Sequence, residues 1–452
     1  MTAPAVQDDP VGWLRTQAPW LFAPELGVCI VGSQALAIAC RAANVPGPRP
    51  RDVDLAWALD TTAGQRLLEQ HSVFLATTEG NVQRGTLALK LGGLRLEVTS
   101  FRDGQPQHPI EQRIQADLMA RDMTIGALAV QVASGAIHDP AGGLAHWRER
   151  RVVPVGDVAQ RVHEHPVRWI RYVRKANEWE FELDRTIRKL RLPLSLLDGL
   201  PREAIAQELR AALLQCRSPG RFFVDLHELG LLAHLSPELA RQFDGRPAGP
   251  QRWHPEISQA LHLVLALEWA AHNSQHLEER DRLTVMFAVL LHDLGKGYTD
   301  DADLPSHPGH ERGGLRHVDA FFRRIPGLLD QRGVSVVRDV TALHVEIRNL
   351  HELRSGTLAK LYDEHFRSGT YPVEVFALAV AADSAGRLGH EGDGPRYLAQ
   401  VQRDLHWLRA ACAGVDAASL RERFVDLELL RKALHEARAH AIAQARGAQS
   451  QD

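Results

Sequence analysis

Cysteine is scarce in this chain. Only four occur among the 452 residues, at positions 29, 40, 216 and 412, and none of them stands in a C-x-x-C spacing. Cysteines scattered in this way argue against a disulfide framework and against a zinc site built from thiolates.

Long apolar runs are missing as well. No segment approaches the roughly 18 apolar residues that a membrane-spanning helix needs. The first residues, MTAPAVQDDP, carry acids where a signal peptide carries basic residues. We therefore expect a cytoplasmic protein that does not use a membrane.

An excess of one charge is also absent, whereas histidine is abundant. The chain has 53 Lys and Arg against 56 Asp and Glu, so no global basic field attracts nucleic acid and RNA binding would need a local patch. Several of the 23 histidines cluster between His254 and His351. Imidazole is a common metal ligand, so this cluster indicates metal chemistry.

The pattern of apolar residues changes at about residue 150. Before it, from residue 27 to about 145, short apolar runs such as GVCIV and DVDLAWAL alternate with Gly-rich turns, which predicts an α/β or α+β module. After it, apolar residues recur at three- and four-residue spacing, which predicts helices almost throughout, including one across 168–192. The Pro/Gly-rich stretch 244–255 is a plausible domain boundary.

Two aspartates mark the first candidate site. Asp52 and Asp54 stand two apart on a predicted strand, so their side chains are expected on one face, where a carboxylate pair can hold two divalent ions for nucleotidyl transfer. Gly32 and Ser33 form a small-residue turn into a predicted helix, which lets backbone N–H groups approach a phosphate. Glu97 is a third acid on a possible neighbouring strand. Solvated loop acids would give the same D-x-D pattern.

The second candidate site centres on His292 and Asp293, at the end of a predicted apolar helix. His262 lies in a preceding predicted helix and Asp383 in a later one. Imidazole and carboxylate ligands together suit a transition metal or magnesium. Lys296 could neutralise a phosphate charge. Three further histidines could be ligands, phosphate contacts or proton donors, or else solvated or helix-capping side chains: His307, His310 and His344.

Longer motifs connect these sites to a known family. The blocks DLMARDMTIGAL (117–128), IHDPAGGLAHWRERRVV (137–153) and HEHPVRWIRYVRKAN (163–177) resemble, in order and spacing, those of class II tRNA nucleotidyltransferases and poly(A) polymerases. The order H…HD…D is that of HD-superfamily phosphohydrolases. Its surroundings, RWHPEISQALH, LLHDLGKG, LPSHPGHERGG and DSAGR, resemble the HD region of the bacterial multifunctional CCA-adding proteins.

This resemblance implies an α+β fold class, with a mixed-sheet nucleotidyltransferase head followed by an all-α neck and body and an all-α HD domain. The implied domains are a head at 1–150, a helical neck and body that binds RNA and nucleotide at 151–250, the HD domain at 251–390 and a C-terminal helical tail at 391–452. The implied activity is addition of CMP and AMP to tRNA 3' ends, with 2',3'-cyclic phosphodiesterase and phosphatase activity in the HD domain.

The resemblance also implies roles for individual residues. Asp52 and Asp54 would be catalytic and would bind Mg²⁺. The nucleotide-binding residues would be Gly32, Ser33, Arg102, Arg121, Asp122, His165 and Arg168. The ligands of a second divalent ion, which could be Mg²⁺, Ni²⁺ or Mn²⁺, would be His262, His292, Asp293 and Asp383. The implied partners are tRNA, ATP and CTP.

The head departs from the family pattern at several contact positions: Ser33 replaces a glycine, Leu36 and Ala120 replace arginines, Gly126 replaces an asparagine and His165 replaces an aspartate. Because histidine cannot supply the two acceptors of a carboxylate, these departures indicate altered nucleotide selectivity. Two alternatives remain open. One is a divergent paralogue that acts mainly as an HD phosphohydrolase with an impaired head. The other is a non-catalytic tRNA-binding protein, against which the intact metal ligands argue.

A basic stripe follows the last block of the head. It consists of Arg168, Arg171, Arg174 and Lys175 with Trp169 and Tyr172 interleaved, and then Arg185, Arg188, Lys189 and Arg191. Such a stripe beside a nucleotide site is a reasonable footprint for an RNA backbone. The competing interpretation is a solvated helix face with Glu178, Glu180 and Glu182 as ionic partners.

Overall fold

The computed structural model describes residues 8–50, 52–102 and 105–449. Contacts divide the chain into two compact units, the first ending at Leu196 and the second beginning at Leu197. The finer division into four domains stays a prediction. None of the described helices is long and apolar enough to cross a membrane.

The first unit combines strands and helices. Its described strands are β1 (Cys29–Val31), β2 (Asp54–Trp57), β3 (Phe74–Leu75), β4 (Thr86–Leu91), β5 (Leu94–Ser100), β6 (Ala129–Gln131), β7 (Ile137–His138), β8 (Arg151–Val152) and β9 (Glu182–Leu183). Its described α-helices are α1 (Pro10–Gln17), α2 (Gly32–Ala42), α3 (Thr61–Gln70), α4 (Glu79–Gln83), α5 (Ile110–Met119), α6 (Gly143–Arg148), α7 (Val158–Glu164), α8 (Val167–Trp179) and α9 (Arg185–Arg188).

Seven of these strands form one mixed sheet in the order β3-β4-β5-β2-β1-β6-β7. The β2 and β5 strands run parallel, whereas β1 is antiparallel to both β2 and β6. Short apolar strands such as β1 are fully buried, because helices pack over them and the core joins residues of β1, α5 and β6. The sheet confirms the predicted mixed-sheet head.

One helix prediction near the end of this unit is wrong. The predicted helix across 168–192 is interrupted, because α8 ends at Glu180, which adopts the left-handed conformation with φ 55°. The chain then forms β9, which pairs in parallel with β8, before α9 begins. Periodicity alone did not show this break, because apolar residues keep three- and four-residue spacing through the turn, at Ala176, Trp179, Leu183, Ile187 and Leu190.

The described part of the second unit is helical. Its α-helices are α10 (Arg202–Gln215), α11 (Pro219–Glu228), α12 (Leu231–Leu235), α13 (Pro237–Ala240), α14 (Gln259–Asn273), α15 (Glu279–Leu291), α16 (His310–Arg324), α17 (Gln331–Leu343), α18 (Ser355–Leu361), α19 (Val373–Ala385), α20 (Gly394–Ala413), α21 (Ala417–Arg423) and α22 (Leu427–Gln449). Short 3-10 turns separate several of them, including Leu294–Tyr298 after α15 and Glu346–Glu352 after α17. Together with the head, these helices confirm the α+β fold class.

Two central helices of this unit are buried on all sides. Every residue of α15 from Leu283 to Leu291 is buried, as is every residue of α19 except Glu374. A helix that is apolar around its whole circumference belongs in a protein interior. Polar residues at the ends of these helices are therefore also held inside the protein, and the second candidate site lies at those ends.

Candidate functional site

Asp54 is the centre of the candidate site in the head. It is the first residue of β2 and lies between Val31 of β1 and Glu97 of β5 in the register of the sheet. The prediction that Glu97 is on a neighbouring strand is therefore confirmed. Gly32 opens α2 with φ 67°, and a Cβ there would stand 3.3 Å from Oδ2 of Asp54. This glycine lets the start of α2 approach the carboxylate closely.

The electrostatics around Asp54 favour a bound cation. Burial raises its pKa to about 6, and the charges of Asp52 and Glu97 add to this, while Arg121 opposes it. A carboxylate that is costly to ionise beside two other acids is stabilised by a divalent ion. Asp52 itself is exposed and lies in the bend before β2, so the prediction that both aspartates occupy the strand is wrong for Asp52.

The raised pKa of Asp54 has a measurable consequence for stability. The folded protein binds this proton more tightly than the unfolded chain does, so the ionised carboxylate destabilises the fold above pH 6 and stops doing so as the pH falls toward 4. We expect Asp54→Asn to raise the free energy of unfolding of the metal-free protein by about 1–3 kcal/mol at pH 7. Thermal unfolding in EDTA from pH 4 to 8 measures the effect, with Glu69→Gln on the exposed face of α3 as the control. A stability difference that does not shrink toward pH 4 would contradict it.

Ion pairs hold Arg121 and Asp122, two of the residues predicted to contact the nucleotide. Arg121 donates to Asp117 through Nη2 at 3.0 Å and Nε at 3.3 Å. Asp122 accepts from Nη1 of Arg171 at 3.2 Å, and its backbone carbonyl accepts from the hydroxyl of Tyr172 at 2.9 Å. These contacts fix both side chains in place before any ligand binds. Arg102 lies just beyond β5, with an exposed side chain.

The predicted base-reading residues lie where α7 meets α8, His165 just after α7 and Arg168 in the first turn of α8. Arg168 is buried, and its Nη1 donates to Glu164 at 2.6 Å and to the carbonyl of Arg161 at 3.1 Å. His165 is exposed at the end of α7. Partial burial and then the Arg168 guanidinium lower the pKa of His165, so its ring is neutral at pH 7 and can both donate and accept.

The part of the basic stripe that lies on α8 is largely buried or ion-paired. Trp169 and Tyr172 are buried in the core, and Arg174 is buried with its Nη1 2.7 Å from Oε2 of Glu178. Lys175 pairs with the same carboxylate at 2.9 Å. The physical reason is that acids stand three and four residues after these cations, at the spacing of helical ion pairs. On α8 these contacts favour the competing interpretation, with Glu178 as ionic partner. Arg185, Lys189 and Arg191 are exposed, and RNA binding at that end of the stripe stays a prediction.

In the second unit the predicted metal ligands converge. His262 lies on α14, His292 and Asp293 follow α15, and Asp383 lies near the end of α19. Nε2 of His262 is 3.2 Å from Oδ1 of Asp383, and Nε2 of His292 is 3.3 Å from Oδ2 of Asp293. All four side chains are buried, so the structure brings together the complete set that the sequence predicted.

His310 and His344 complete this group, which we call the HD cluster: His262, His292, Asp293, His310, His344 and Asp383. Nε2 of His310 lies 3.3 Å from Oδ1 of Asp293, and Nε2 of His344 lies 3.5 Å from the same oxygen. The two Nε2 atoms are 3.4 Å apart. Since sets of three ligand atoms within the HD cluster can reach one ion, both histidines are placed to act as further ligands.

The hydrogen bonds of the histidines leave one nitrogen of each ring free for a metal. Nδ1 of His262 donates to the carbonyl of Gly386 at 3.1 Å, Nδ1 of His292 to that of Val289 at 2.7 Å, Nδ1 of His310 to that of His307 at 2.8 Å and Nδ1 of His344 to that of Val340 at 3.1 Å. Nε2 of His262 and His292 has no hydrogen-bond partner among the described residues. A backbone acceptor on one ring nitrogen is the usual support of a metal-binding histidine.

The electrostatics of the HD cluster favour a cation beside its carboxylates. The Asp293 and Asp383 carboxylates raise the pKa of His292 to about 10 against the effect of burial. Although burial opposes ionisation, His292 and Lys296 hold the pKa of Asp293 well below its usual range. The metal-free cluster therefore takes up a proton at a buried site, and a divalent ion bound to neutral imidazoles and carboxylates can replace it.

His307 does not join the cluster. Although it is buried, its Nε2 is 2.8 Å from the carbonyl of Pro247 and its Nδ1 is 2.6 Å from the hydroxyl of Thr299. Both ring nitrogens are used within the protein, so the predicted role of His307 as a ligand, phosphate contact or proton donor is wrong. Its remaining contact is structural, because its carbonyl accepts from Nδ1 of His310.

Glu256, a residue that the sequence analysis did not single out, is a buried acid beside the HD cluster. Glu256 accepts from Nδ1 of His254 at 2.7 Å and lies 3.1 Å from Nδ1 of His262. Despite burial, these two histidines lower its pKa far below the usual range. Such a carboxylate fixes the orientation of a metal-binding ring. Its position within RWHPEISQALH, two residues after one histidine and six before another, was the available signal.

Gly295 allows the two sides of the cluster to meet. A Cβ at this position would lie 1.9 Å from the carbonyl oxygen of His310 and 3.0 Å from the amide nitrogen of Gly314. Only a residue without a side chain therefore permits the turn after Asp293 to pack against α16. This close packing is what places Asp293 beside His310.

We expect Gly295→Ala to separate Asp293 from His310, so that the variant no longer binds metal stoichiometrically. Because the added methyl group overpacks the interior, the free energy of unfolding should also fall by about 1–3 kcal/mol. Metal analysis and thermal unfolding of the variant measure both effects. Gly313→Ala, on an exposed position of α16 with no atom near its Cβ, is the matched control and should behave as the wild type. Equal metal content in the two variants would contradict the packing argument.

The HD cluster opens into a cavity of about 390 Å³. His310, His344 and Asp383 form part of its wall, and two cations line it beside them, Lys296 and Arg348. Nζ of Lys296 is 2.7 Å from Oδ2 of Asp293, and Arg348 pairs with Oδ2 of Asp383. A small phosphate ester that enters this cavity would meet metal ligands and cations together.

The chain resembles characterised proteins over most of its length. The family described as the Poly A polymerase head domain matches residues 44–153. The multifunctional CCA protein of Ralstonia nicotianae is 34% identical over 352 residues, which are 74% of this chain and 76% of that protein. The protein of the same name from Cupriavidus metallidurans is 34% identical over 348 residues, covering 74% of this chain and 79% of the relative.

Solved structures agree on the fold. The Bacillus stearothermophilus CCA-adding enzyme in complex with CTP aligns with a TM-score of 0.66 at 18% identity and covers 98% of this chain and 94% of that one. The Thermotoga maritima CCA-adding enzyme complexed with tRNA aligns with a TM-score of 0.56 at 14% identity, covering 99% of both chains. These findings confirm the resemblance that the sequence motifs indicated.

Proposed function

Because this chain belongs to the family of multifunctional CCA proteins, we propose that it adds CMP and AMP to tRNA 3' ends and hydrolyses phosphate esters at the HD cluster. The observation that carries the first part is the half-buried Asp54 between Glu97 and the start of α2. The observation that carries the second part is the convergence of six buried ligands at the HD cluster. CTP, ATP and tRNA are the proposed ligands.

In the head, the RNA 3'-hydroxyl attacks the α-phosphate and pyrophosphate leaves. Asp52 and Asp54 would hold Mg²⁺, which lowers the pKa of the attacking hydroxyl and stabilises the leaving oxygen. Arg121, which Asp117 holds in place, faces the negative charge that develops on the triphosphate. The start of α2 at Gly32 supplies backbone N–H groups to phosphate oxygens.

Base selection is proposed for Arg168 and His165. Glu164 fixes the guanidinium of Arg168, so that its remaining N–H donors point in a defined direction. A neutral His165 offers one donor and one acceptor, and this differs from the two acceptors of the family's aspartate. We therefore propose that the choice between CTP and ATP is read differently in this chain.

At the HD cluster, the four proposed core ligands are His262, His292, Asp293 and Asp383, with His310 and His344 as further ligands. A divalent ion there supplies a bound water of lowered pKa and polarises a phosphoryl oxygen. Lys296 and Arg348, each already paired with a carboxylate of the cluster, balance the charge of the substrate phosphate. Hydrolysis of a 2',3'-cyclic phosphodiester or a phosphate monoester is the proposed reaction.

Two observations favour a second candidate function, in which the head polymerises poorly and the HD cluster is the main working site. Leu36 and Ala120, which replace arginines of the family pattern, are both buried. Apolar side chains at these positions cannot contact a triphosphate, so the head has fewer cations than the family pattern supplies. The HD cluster retains every ligand that the family pattern predicts.

Primer extension separates the two candidates. A tRNA that ends before its CCA is incubated with protein and Mg²⁺, first with each nucleoside triphosphate alone and then with CTP and ATP together. Ordered addition of two C and one A supports the main proposal. Addition of one nucleotide type supports a changed base reader. Absence of addition, with hydrolysis of 2',3'-cyclic AMP in the same preparation, would overturn the main proposal in favour of the second candidate.

The metal requirement of the hydrolase is tested separately. Protein stripped with EDTA should lose hydrolysis of 2',3'-cyclic AMP and regain it when Mg²⁺, Mn²⁺ or Ni²⁺ is added back. Hydrolysis that continues at the original rate in EDTA, after metal analysis shows the ion to be gone, would contradict the proposed centre.

A further inference from the structure

The cavity beside the HD cluster has cations and aromatic surface that the metal chemistry does not use. Trp253 and Arg387 both line it. From this arrangement we infer a nucleotide subsite, in which Arg387 binds the phosphate and Trp253 stacks on the nucleobase. The inference rests on the proposed hydrolase function and assigns two residues outside the HD cluster that would position its substrate.

Arg387 is the cation of the cavity without a carboxylate of its own. Lys296 and Arg348 each pair with an aspartate of the HD cluster. Nε of Arg387 is buried and has no hydrogen-bond partner among the described residues. A buried donor without a partner is costly, and a phosphate oxygen is the acceptor that a guanidinium fork matches best.

No carboxylate of the described residues pairs directly with Arg387, although Asp383 lies near enough to act on its charge. Glu256 lies close enough to influence it electrostatically, but its oxygens accept from His254 and from the amide of Leu388 and lie beside His262. The Arg387 guanidinium is therefore a positive charge on the wall of the cavity without a direct ionic partner among the described residues. This charge selects an anionic group next to the HD cluster.

Trp253 supplies the aromatic surface. The residue is 56% exposed, although an indole of this size is usually at least partly covered. The guanidinium of Arg252 lies 5.2 Å from the centroid of its ring and occupies one face. More than half of the residue is exposed, so its indole offers surface to a flat ring, and stacking of a base on an aromatic side chain is tolerant of base identity.

The size of the cavity fits this assignment. Its volume of about 390 Å³ falls within the range of about 300–1,000 Å³ that small-molecule sites occupy. Val345, which is 42% exposed, lines the same cavity and adds apolar surface on the route to His344. A nucleoside phosphate places an apolar base and an anionic group within one such volume.

Two substrates that differ only in the nucleoside test the inference. They are 2',3'-cyclic AMP and glycerol 1,2-cyclic phosphate, a five-membered cyclic diester without a base. In Trp253→Ala, we expect kcat/KM for the nucleotide to fall about tenfold, through KM, relative to that for the glycerol ester. Trp253→Phe should restore most of the loss. Ile257→Ala, equally exposed at 57% but outside the cavity lining, is the matched control.

A second substitution tests the proposed contact between Arg387 and the phosphate. Arg387→Met should lower kcat/KM for both cyclic phosphates to a similar extent, whereas Arg403→Met, an exposed arginine outside this cavity, should not. A short RNA that ends in a 2',3'-cyclic phosphate, compared with free 2',3'-cyclic AMP, shows whether the terminal nucleotide comes from RNA or from solution. Thermal unfolding of each variant shows that the fold is kept.

The failure of this inference differs from the failure of the proposed function. If the wild type hydrolyses neither cyclic phosphate with any of the three metals, the proposed hydrolase and the subsite both fall. If the wild type hydrolyses both, but Trp253→Ala lowers neither or lowers both equally, the hydrolase stands and the base-stacking subsite is overturned. An unaffected Arg387→Met would likewise overturn the phosphate contact.

Discussion

Asp54→Asn is expected to reduce the rate of CMP addition to tRNA by about a hundredfold to a thousandfold, the effect of losing several kcal/mol of charge stabilisation. Asparagine keeps the shape of the side chain but removes the negative charge. Asp54 is half-buried at the point where β1, β2 and β5 lie side by side, a position in the sheet that the exposed Asp52 does not share. Single-turnover primer extension at saturating Mg²⁺ and CTP measures the rate.

The control for this variant is Glu69→Gln, which makes the same chemical change on the exposed face of α3 and should leave the rate unaltered. Because Asp54→Asn is also expected to stabilise the metal-free head, its loss of activity cannot be attributed to unfolding. A variant that adds CMP at the wild-type rate would show that the nucleotidyl-transfer site lies elsewhere.

Asp293→Asn is expected to reduce hydrolysis of 2',3'-cyclic AMP by at least about a hundredfold, and to remove bound metal. Asp293 is the residue on which the HD cluster converges, because His292, His310 and His344 all approach its carboxylate within 3.5 Å. The amide replaces a charged ligand with a neutral and weaker one. Initial rates and metal analysis of the same preparation measure both losses.

The single variant also leaves Lys296 buried beside a neutral amide, which destabilises the fold. The double variant Asp293→Asn with Lys296→Met removes both charges and is expected to recover most of the lost stability without recovering hydrolysis. Recovery of hydrolysis in the double variant would show that the charge balance, and not a metal ligand, was the reason for the loss.

Much of the HD cluster was predictable, because its ligands stand at the ends of helices that are apolar on every side. Burial of α15 and α19 forces His292 and Asp383 into the interior, where unpaired polar groups are rare. The order of the ligands then limits which of them can meet. In the head, the alternation of apolar residues placed Glu97 on a strand, and its register beside Asp54 follows from the parallel pairing of β2 and β5.

The residues that were missed or misassigned depend on contacts that a sequence pattern does not contain. His307 points to Pro247, sixty residues away, and not to the HD cluster. The basic stripe of α8 is neutralised because its cations pair with Glu178 or with Asp122 of an earlier segment. Arg387 can be recognised as a candidate phosphate contact only when the ion pairs of Lys296 with Asp293 and of Arg348 with Asp383 are known.

If one chain holds two chemically independent centres, each activity should be lost without the other. CMP addition and 2',3'-cyclic AMP hydrolysis are therefore measured side by side on Asp54→Asn and Asp293→Asn. We predict that the first variant loses only nucleotide addition and the second loses only hydrolysis. Loss of both activities in either well-folded variant, or retention of both in either one, would contradict the account.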